Sequence, residues 1–276
     1  MKFRDILLCV EPNRLDSALI ENAVAFANRQ GSNLTGLYPI EIFDFPGYIQ
    51  AQLPKEVLED YRSVHFERAE RAEALFRETC TAANVSCDWC SIEGERAEMV
   101  IENARLADLV LLAGGQNGSQ TATGESSSRI MLECGRPVLL LPPTPMDNDT
   151  GSRVLVAWNG RREAVRAVHD ALPLLESADE VKVVMVNPGA NAPDAGDLPG
   201  SALCHHLARH GVKSEAREVR ASGQSDGAAL MTLAAEEKAN LVVMGAYGHA
   251  RWRELVVGGV TDHVLRHATI PVFLSH

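Results

Sequence analysis

The amino-acid sequence predicts an α/β fold of two tandem open-sheet domains, each a mainly parallel five-stranded sheet with helices on both faces. Three observations lead there. Apolar runs such as Leu109–Ala113 and Leu241–Gly245 show no polar alternation, as expected of strands buried on both sides. Segments of helical period separate successive runs, which implies right-handed crossovers between parallel strands. The whole order, β-α-β-α-β-α-β-α-β, occurs twice along 276 residues.

Taken in order, the halves open with FRDILLCV (residues 3–10) and GSRVLVAW (residues 151–158), short apolar runs beside a basic residue. Each ends in a polar turn, EPNRLDS or NGRREA, and enters a helical segment, SALIENAVAFANRQG or EAVRAVHDALPLLES. A second buried strand follows in both, NLTGLYPI and EVKVVMVNP. The first half then inserts EIFDFPGYIQAQLP, residues 41–54, which gathers Phe43, Phe45 and Tyr48 in a chain only 5% aromatic. Packing under the amphipathic helix EVLEDYRSVHFERAERAEALFRETC is the expected role, and an apolar contact surface or a ligand cavity is the alternative. VSCDWCSIEG and VKSEAREVRASG read as third strands, followed by the helices AEMVIENARLA and DGAALMTLAAEEKA. The strongest match comes next, Asp108-Leu-Val-Leu-Leu-Ala against Asn240-Leu-Val-Val-Met-Gly. RIMLECGRPVLLL and HVLRHATIPVFLS close the halves with a helix and a strand.

PPTPMDNDTGS, residues 142–152, has no apolar periodicity and reads as the linker, which sets the domains at 1–143 and 144–276. The formal charge of −11 comes from 26 basic and 37 acidic side chains, with no Lys/Arg-rich run. That balance argues against sequence-independent nucleic-acid binding. The charge is uneven: 13 basic and 21 acidic residues fall in 1–143, against 13 and 16 in 144–276. No apolar stretch approaches the ~18 residues of a membrane span, and the run Ile6–Val10 is too short for a signal-peptide core. Six cysteines in no framework spacing fit a reducing compartment, so a cytoplasmic location is expected. Cys87 and Cys90 form a CxxC, but residues three apart on a strand point to opposite faces, which favours plain strand residues over a redox or metal pair.

In an open parallel sheet, ligands bind beyond the carboxyl ends of the strands. The second half has there Gly245-Ala-Tyr-Gly248-His-Ala-Arg-Trp-Arg-Glu-Leu-Val-Val-Gly258-Gly259-Val260-Thr261, which runs into the helix TDHVLRH. Glycines let the main chain approach a ligand closely, and a helix N-terminus presents unpaired N–H groups. Gly258, Gly259 and the amides entering that helix would make a phosphate cradle, with Thr261 placed to cap the helix or to donate to a ligand oxygen. The plainer alternative is that the glycines only permit a tight turn and close helix packing.

Gly245, Gly248 and Gly258 have the spacing Gly-x2-Gly-x9-Gly, and with the ending VLRHATIPVFL the chain resembles the universal stress proteins over its whole length, as two tandem copies. The resemblance implies a nucleotide-binding α/β fold. It also implies a site for ATP or another adenine nucleotide (ADP or AMP), with or without Mg2+, formed by Asn159, Val186, Gly245, Gly248, Gly258, Gly259, Val260 and Thr261. Asn159 stands where the family commonly ends its first strand in Asp, which keeps an acceptor and loses the charge. Val186, ending the second strand, would lie beside the adenine. Gly259 replaces the family's Ser or Thr, and Thr261 matches its next hydroxyl position. The first copy departs further. Gly115 and Gly118 keep a GxxG, but Gly124 follows after five residues, Glu125 replaces Gly259 and Glu11 ends the first strand. Carboxylates where a phosphate would sit repel it, so this copy is expected not to bind ATP.

Other candidates are weaker. His263 and His267 lie one helical turn apart beside Asp262, and His205, His206 and His210 share another helix; both sets are expected to be exposed helix histidines, not metal ligands. Ser126 to Ser128 stand in no GxSxG context. Arg251 and Arg253 read as solvated loop residues, with phosphate contact as the alternative. No general base, activated nucleophile or metal centre is in view, so no catalytic residue is assigned. The expected function is that of a stress-response protein which binds an adenine nucleotide in its second domain and acts through conformation or an unknown protein partner. The alternatives are an interaction module that has lost nucleotide binding, and a slow ATPase in which His249, Arg251 or Thr261 orients phosphate or water. The closing strands PVLLL and PVFLS are sheet edges open to pairing, which the resemblance implies join as an internal pseudo-dimer or in a homodimer.

Overall fold

The computed structural model describes residues 2–11, 17–41, 55–114, 122–188, 200–248 and 259–276. The first half runs β1 (Asp5–Cys9), α1 (Ser17–Gln30), β2 (Asn33–Ile40), α2 (Lys55–Ala82), β3 (Cys87–Glu93), α3 (Arg96–Ala104), β4 (Leu109–Ala113), α4 (Ala122–Glu133) and β5 (Val138–Leu141). The second runs β6 (Arg153–Ala157), α5 (Arg162–Asp170), α6 (Leu172–Leu175), β7 (Glu180–Val186), α7 (Ser201–Arg209), β8 (Ser214–Val219), α8 (Asp226–Glu236), β9 (Leu241–Gly245), α9 (Val260–His267) and β10 (Val272–Ser275). The helix expected over EAVRAVHDALPLLES is two: it breaks at Ala171, because Pro173 has no N–H to continue it and sits instead in the first turn of α6.

The strand order is β3-β2-β1-β4-β5-β10-β9-β6-β7-β8. Pairing is parallel throughout each half. The two five-stranded sheets are continuous: β5 and β10 pair antiparallel and make a single ten-stranded sheet. Their register pairs Leu140 with Val272, Leu139 with Phe273 and Val138 with Leu274. When Pro137 is matched to Pro271, Leu139 faces its own equivalent, Phe273, while Val138 and Leu140 each face the equivalent of the other, so a pseudo-two-fold axis passes through the Leu139–Phe273 pair.

The core is divided by the faces of this sheet. Ile6, Leu8, Leu139, Val154 and Phe273 belong to one apolar cluster, and Leu7, Cys9, Leu140, Leu155 and Leu274 to the other. Both clusters run through the two halves, as side-chain alternation along continuous strands requires. The best-matched sequence segment has a repeated job. Asp108 Oδ2 accepts the amides of Arg4 (2.7 Å) and Asp5 (3.2 Å), and Asn240 Oδ1 accepts those of Gly151 and Arg153 (both 3.0 Å), so each fastens the start of the first strand of its half.

The linker is tied down. Buried Asn22 of α1 donates to the carbonyls of Pro142 (3.1 Å) and Thr144 (2.9 Å) and accepts from the Met146 amide (2.8 Å), while Arg29 donates to Asp147 O and Asn148 O. Among the described residues no helix is long and apolar enough to cross a membrane.

Candidate functional site

In the second half β7 and β8 are added on one side of β6 and β9 and β10 on the other, so the strand order reverses between β6 and β9, the topological switch point at which open α/β sheets bind ligands. Because β9, β6 and β7 are neighbours, the carboxyl-end positions Gly245, Asn159 and Val186 come side by side. Asn159 is exposed, and its Oδ1 accepts the Arg161 amide at 3.0 Å, which turns the chain into α5. Val186 is half-buried, pairs with Val219 and packs against the cluster that holds Leu155 and Leu274.

The two described glycines at the end of β9 do different things. A Cβ on Gly245 would meet Ala164 N and Glu163 C at 2.6 Å, so this position must be bare for the first turn of α5 to pack on the strand. A Cβ on Gly248 would meet only side chains, Glu163 Oε2 at 3.3 Å and Arg161 Cδ at 3.8 Å. The Gly248 carbonyl accepts from Arg161 Nη1 at 3.0 Å. Between them Tyr247 holds a left-handed backbone, φ 52°. Its amide donates to Thr261 Oγ1 at 3.1 Å, and its hydroxyl shares a hydrogen bond of 2.5 Å with Ser128 Oγ of α4. Burial pushes the Tyr247 phenol up, partly offset by Ser128, so it keeps its proton.

Gly259 caps α9 in extended backbone, is exposed, and among the described residues has nothing within 4 Å of where a Cβ would be. No described side chain caps this helix. Val260 is half-buried in its first turn, and Thr261 is buried. Among the described residues nothing covers the amino end of α9, and a helix amino end offers amides and the favourable end of the helix dipole, which fits a phosphate. Gly258, His249, Arg251 and Arg253 lie outside the described residues. Sequence reasoning missed Arg161 and Glu163, although NGRREA directly follows the strand; the carboxylate of Glu163, with Arg162 Nε 3.4 Å away, lies beside Gly248.

The corresponding place in the first half is filled from within. Glu11, read from sequence as a carboxylate that repels an anionic ligand, is buried and paired with Arg96 Nη2 at 3.2 Å, their side chains 10% and 4% exposed. Glu41 Oε1 accepts the Arg96 amide at 3.2 Å. Burial pushes the Arg96 guanidinium down, but Cys9, Glu11 and Glu41 outweigh it and hold it above its ordinary range. The Cys9 thiol beneath is pushed up by burial, against the pull of Arg96. At the end of its first strand the first half thus holds a buried ion pair where the second half has exposed Asn159. Gly124 and Glu125 fall inside α4, which begins at Ala122, whereas α9 begins after Gly259. Gly115 and Gly118 lie outside the described residues, as does the insertion from residue 42 to 54, with Phe43, Phe45 and Tyr48.

The other candidates resolve individually. His263 and His267 stack at 4.3 Å, while Asp262 is taken up by Arg266 at 2.9 Å. His206 meets His210 on its own helix and His169 of α5, with ring centroids 4.9 and 5.3 Å apart. Cys87 packs against one core cluster and Cys90 against the other, as opposite strand faces require. Among the described residues no group of three or more His, Cys, Asp and Glu is arranged to hold a metal ion.

A model of the universal stress protein family matches residues 151–276. A curated universal stress protein of Synechocystis is 23% identical over 291 aligned positions, spanning 98% of both chains. The crystal structure of a universal stress protein from Archaeoglobus fulgidus superposes with a TM-score of 0.77 at 17% identity, covering 98% of this chain and 95% of that one. The fold is therefore shared along the entire chain.

Proposed function

We propose, from the match of residues 151–276 to the universal stress protein family, that this half binds an adenine nucleotide and reports its presence to a partner through conformation. The chain is read as two copies of one unit, 1–143 and 144–276, of which the second keeps the site. The observation that carries the reading is the amino end of α9, which no described side chain caps and which begins at Gly259 beside the Gly245–Gly248 turn. Amides of Gly259, Val260 and Thr261, with Gly248 and Gly258, would hold phosphate oxygens. Thr261 accepts from Tyr247 and so keeps its own hydroxyl proton to donate. Asn159 would meet ribose or base and Val186 the adenine face, while Arg161 and Arg162 offset Glu163. No residue is assigned to hydrolysis, and a Mg2+ ion would accompany the phosphates of ATP.

Titration with a fluorescent ATP analogue, with and without Mg2+, tests this. One saturable site per chain is expected, and adenine nucleotide should appear in the mass spectrum of ligand released by denaturing the purified protein. Gly248→Val should abolish binding while the protein stays folded, because only movable side chains face the new methyls. Gly245→Ala should instead cost roughly 1–3 kcal/mol of stability, since its methyl meets backbone. No saturation at millimolar ligand would leave an interaction module that has lost nucleotide binding.

A further inference from the structure

We propose that Ser128 of the first half is a positioning residue for the ligand loop of the second, so that one half sets the affinity of a site it does not line. The inference rests on reading Gly245–Gly248 and the amino end of α9 as a nucleotide site. Tyr247 lies between the two glycines at φ 52°, a backbone region unfavourable to any residue with a Cβ, which persists only where surrounding contacts enforce it. Two described contacts do so. Thr261 of α9 accepts its amide at 3.1 Å, and Ser128 of α4 bonds its hydroxyl at 2.5 Å. The second comes from the opposite half, 119 residues away in sequence.

α4 is itself seated on the other frame of the loop. Arg166 Nη2 of α5 donates to the Gly135 carbonyl, just beyond the end of α4, at 3.2 Å. α5 follows directly on Arg161, which donates to the Gly248 carbonyl. The first half thus holds the loop directly at Tyr247 and reaches the other side of Gly248 through α5. Without the Ser128 hydroxyl only Thr261 of these two holds Tyr247, which leaves the left-handed region more often, and the amide of Gly248, next in the chain, is aimed less well. Linkage then requires the reverse: ligand at the loop must tighten α4.

Hydrogen exchange on the full-length, unliganded protein tests the contact first. Ser128→Ala, which favours the helix, and Tyr247→Phe should each speed exchange of the amides at 246–248 about three- to tenfold, the size of one hydrogen bond. The double variant should add nothing to either single one, and Ser128→Thr should restore the wild-type rate. In the fluorescent ATP analogue titration the same two variants should weaken binding by a similar factor, and the analogue should slow exchange at 126–131. Unchanged exchange in both single variants, or strictly additive effects in the double one, overturns the proposal. So does unchanged affinity in variants whose loop has loosened. If wild-type protein binds no analogue, the nucleotide reading fails, and exchange at 246–248 alone still decides whether Ser128 positions the loop.

Discussion

A guanidinium in the first turn of a helix faces the positive end of the helix dipole and is disfavoured there. Arg96 begins α3 in that position, nearly buried, and is compensated by Glu11 at 3.2 Å, while Glu95 caps the helix by accepting from Ala97 N and Glu98 N. Asp226 begins α8 at the matching place of the second half, where an acidic side chain is favoured. The buried pair therefore makes a demand that the second half does not face. Removing one partner strands the other charge in the interior, so Glu11→Ala should cost about 3–5 kcal/mol in urea unfolding. The double replacement Glu11→Met with Arg96→Met should recover most of that loss; a double variant no more stable than Glu11→Ala contradicts this account. From sequence, Glu11 was legible as a carboxylate ending a strand. Its partner, 85 residues away, was not, because nothing local links the two.

At the scale of elements, periodicity located nearly every strand and helix, since buried parallel strands and amphipathic helices leave strong local signals. What escaped was how elements meet. His206 and His210 read as exposed histidines of one helix, yet the packing of α7 against α5 brings His169 up to them, with ring centroids 4.9 and 5.3 Å apart. Burial first, then His210, His169 and Arg209, pushes the His206 imidazole down. A histidine that resists protonation when folded is protonated first in the unfolded chain, so its contribution is complete above the ordinary value of about 6.5 and is lost as pH falls below it. His263 in α9 is pushed the same way by burial and His267, opposed by Asp262. Melting temperature should accordingly drop between about pH 7 and about pH 5. His206→Gln should flatten that fall, and an identical pH profile in the variant would count against the α5–α7 cluster as its source. The site shows the same limit. Gly248 was legible from spacing and Gly259 from its place just before the last helix, whereas the bond from Ser128 to Tyr247 depends on how the halves dock.

For the whole molecule, the question is whether two copies make two stable units or one. Each half supplies a complete set of five parallel strands, which favours independence. The cores favour unity, because each apolar cluster lies on one face of the continuous sheet and draws residues from both halves. Phe273 sits on the pseudo-two-fold axis, fully buried, opposite Leu139 and 6.2 Å from Phe3 of the first half. The linker adds to this, held to α1 by Asn22 and Arg29. Phe273→Ala should therefore cost roughly 3–5 kcal/mol, and the loss should reach both halves. Hydrogen exchange in mild denaturant reads them separately: amides of α1 and of α5 should open with one shared free energy, lowered together in the variant. Were α5 destabilised while α1 kept its wild-type protection, the halves would be independent units that merely touch at β5 and β10. Shared opening would make the seam part of the fold's single cooperative unit, the condition under which a ligand held by one half can be felt by the other.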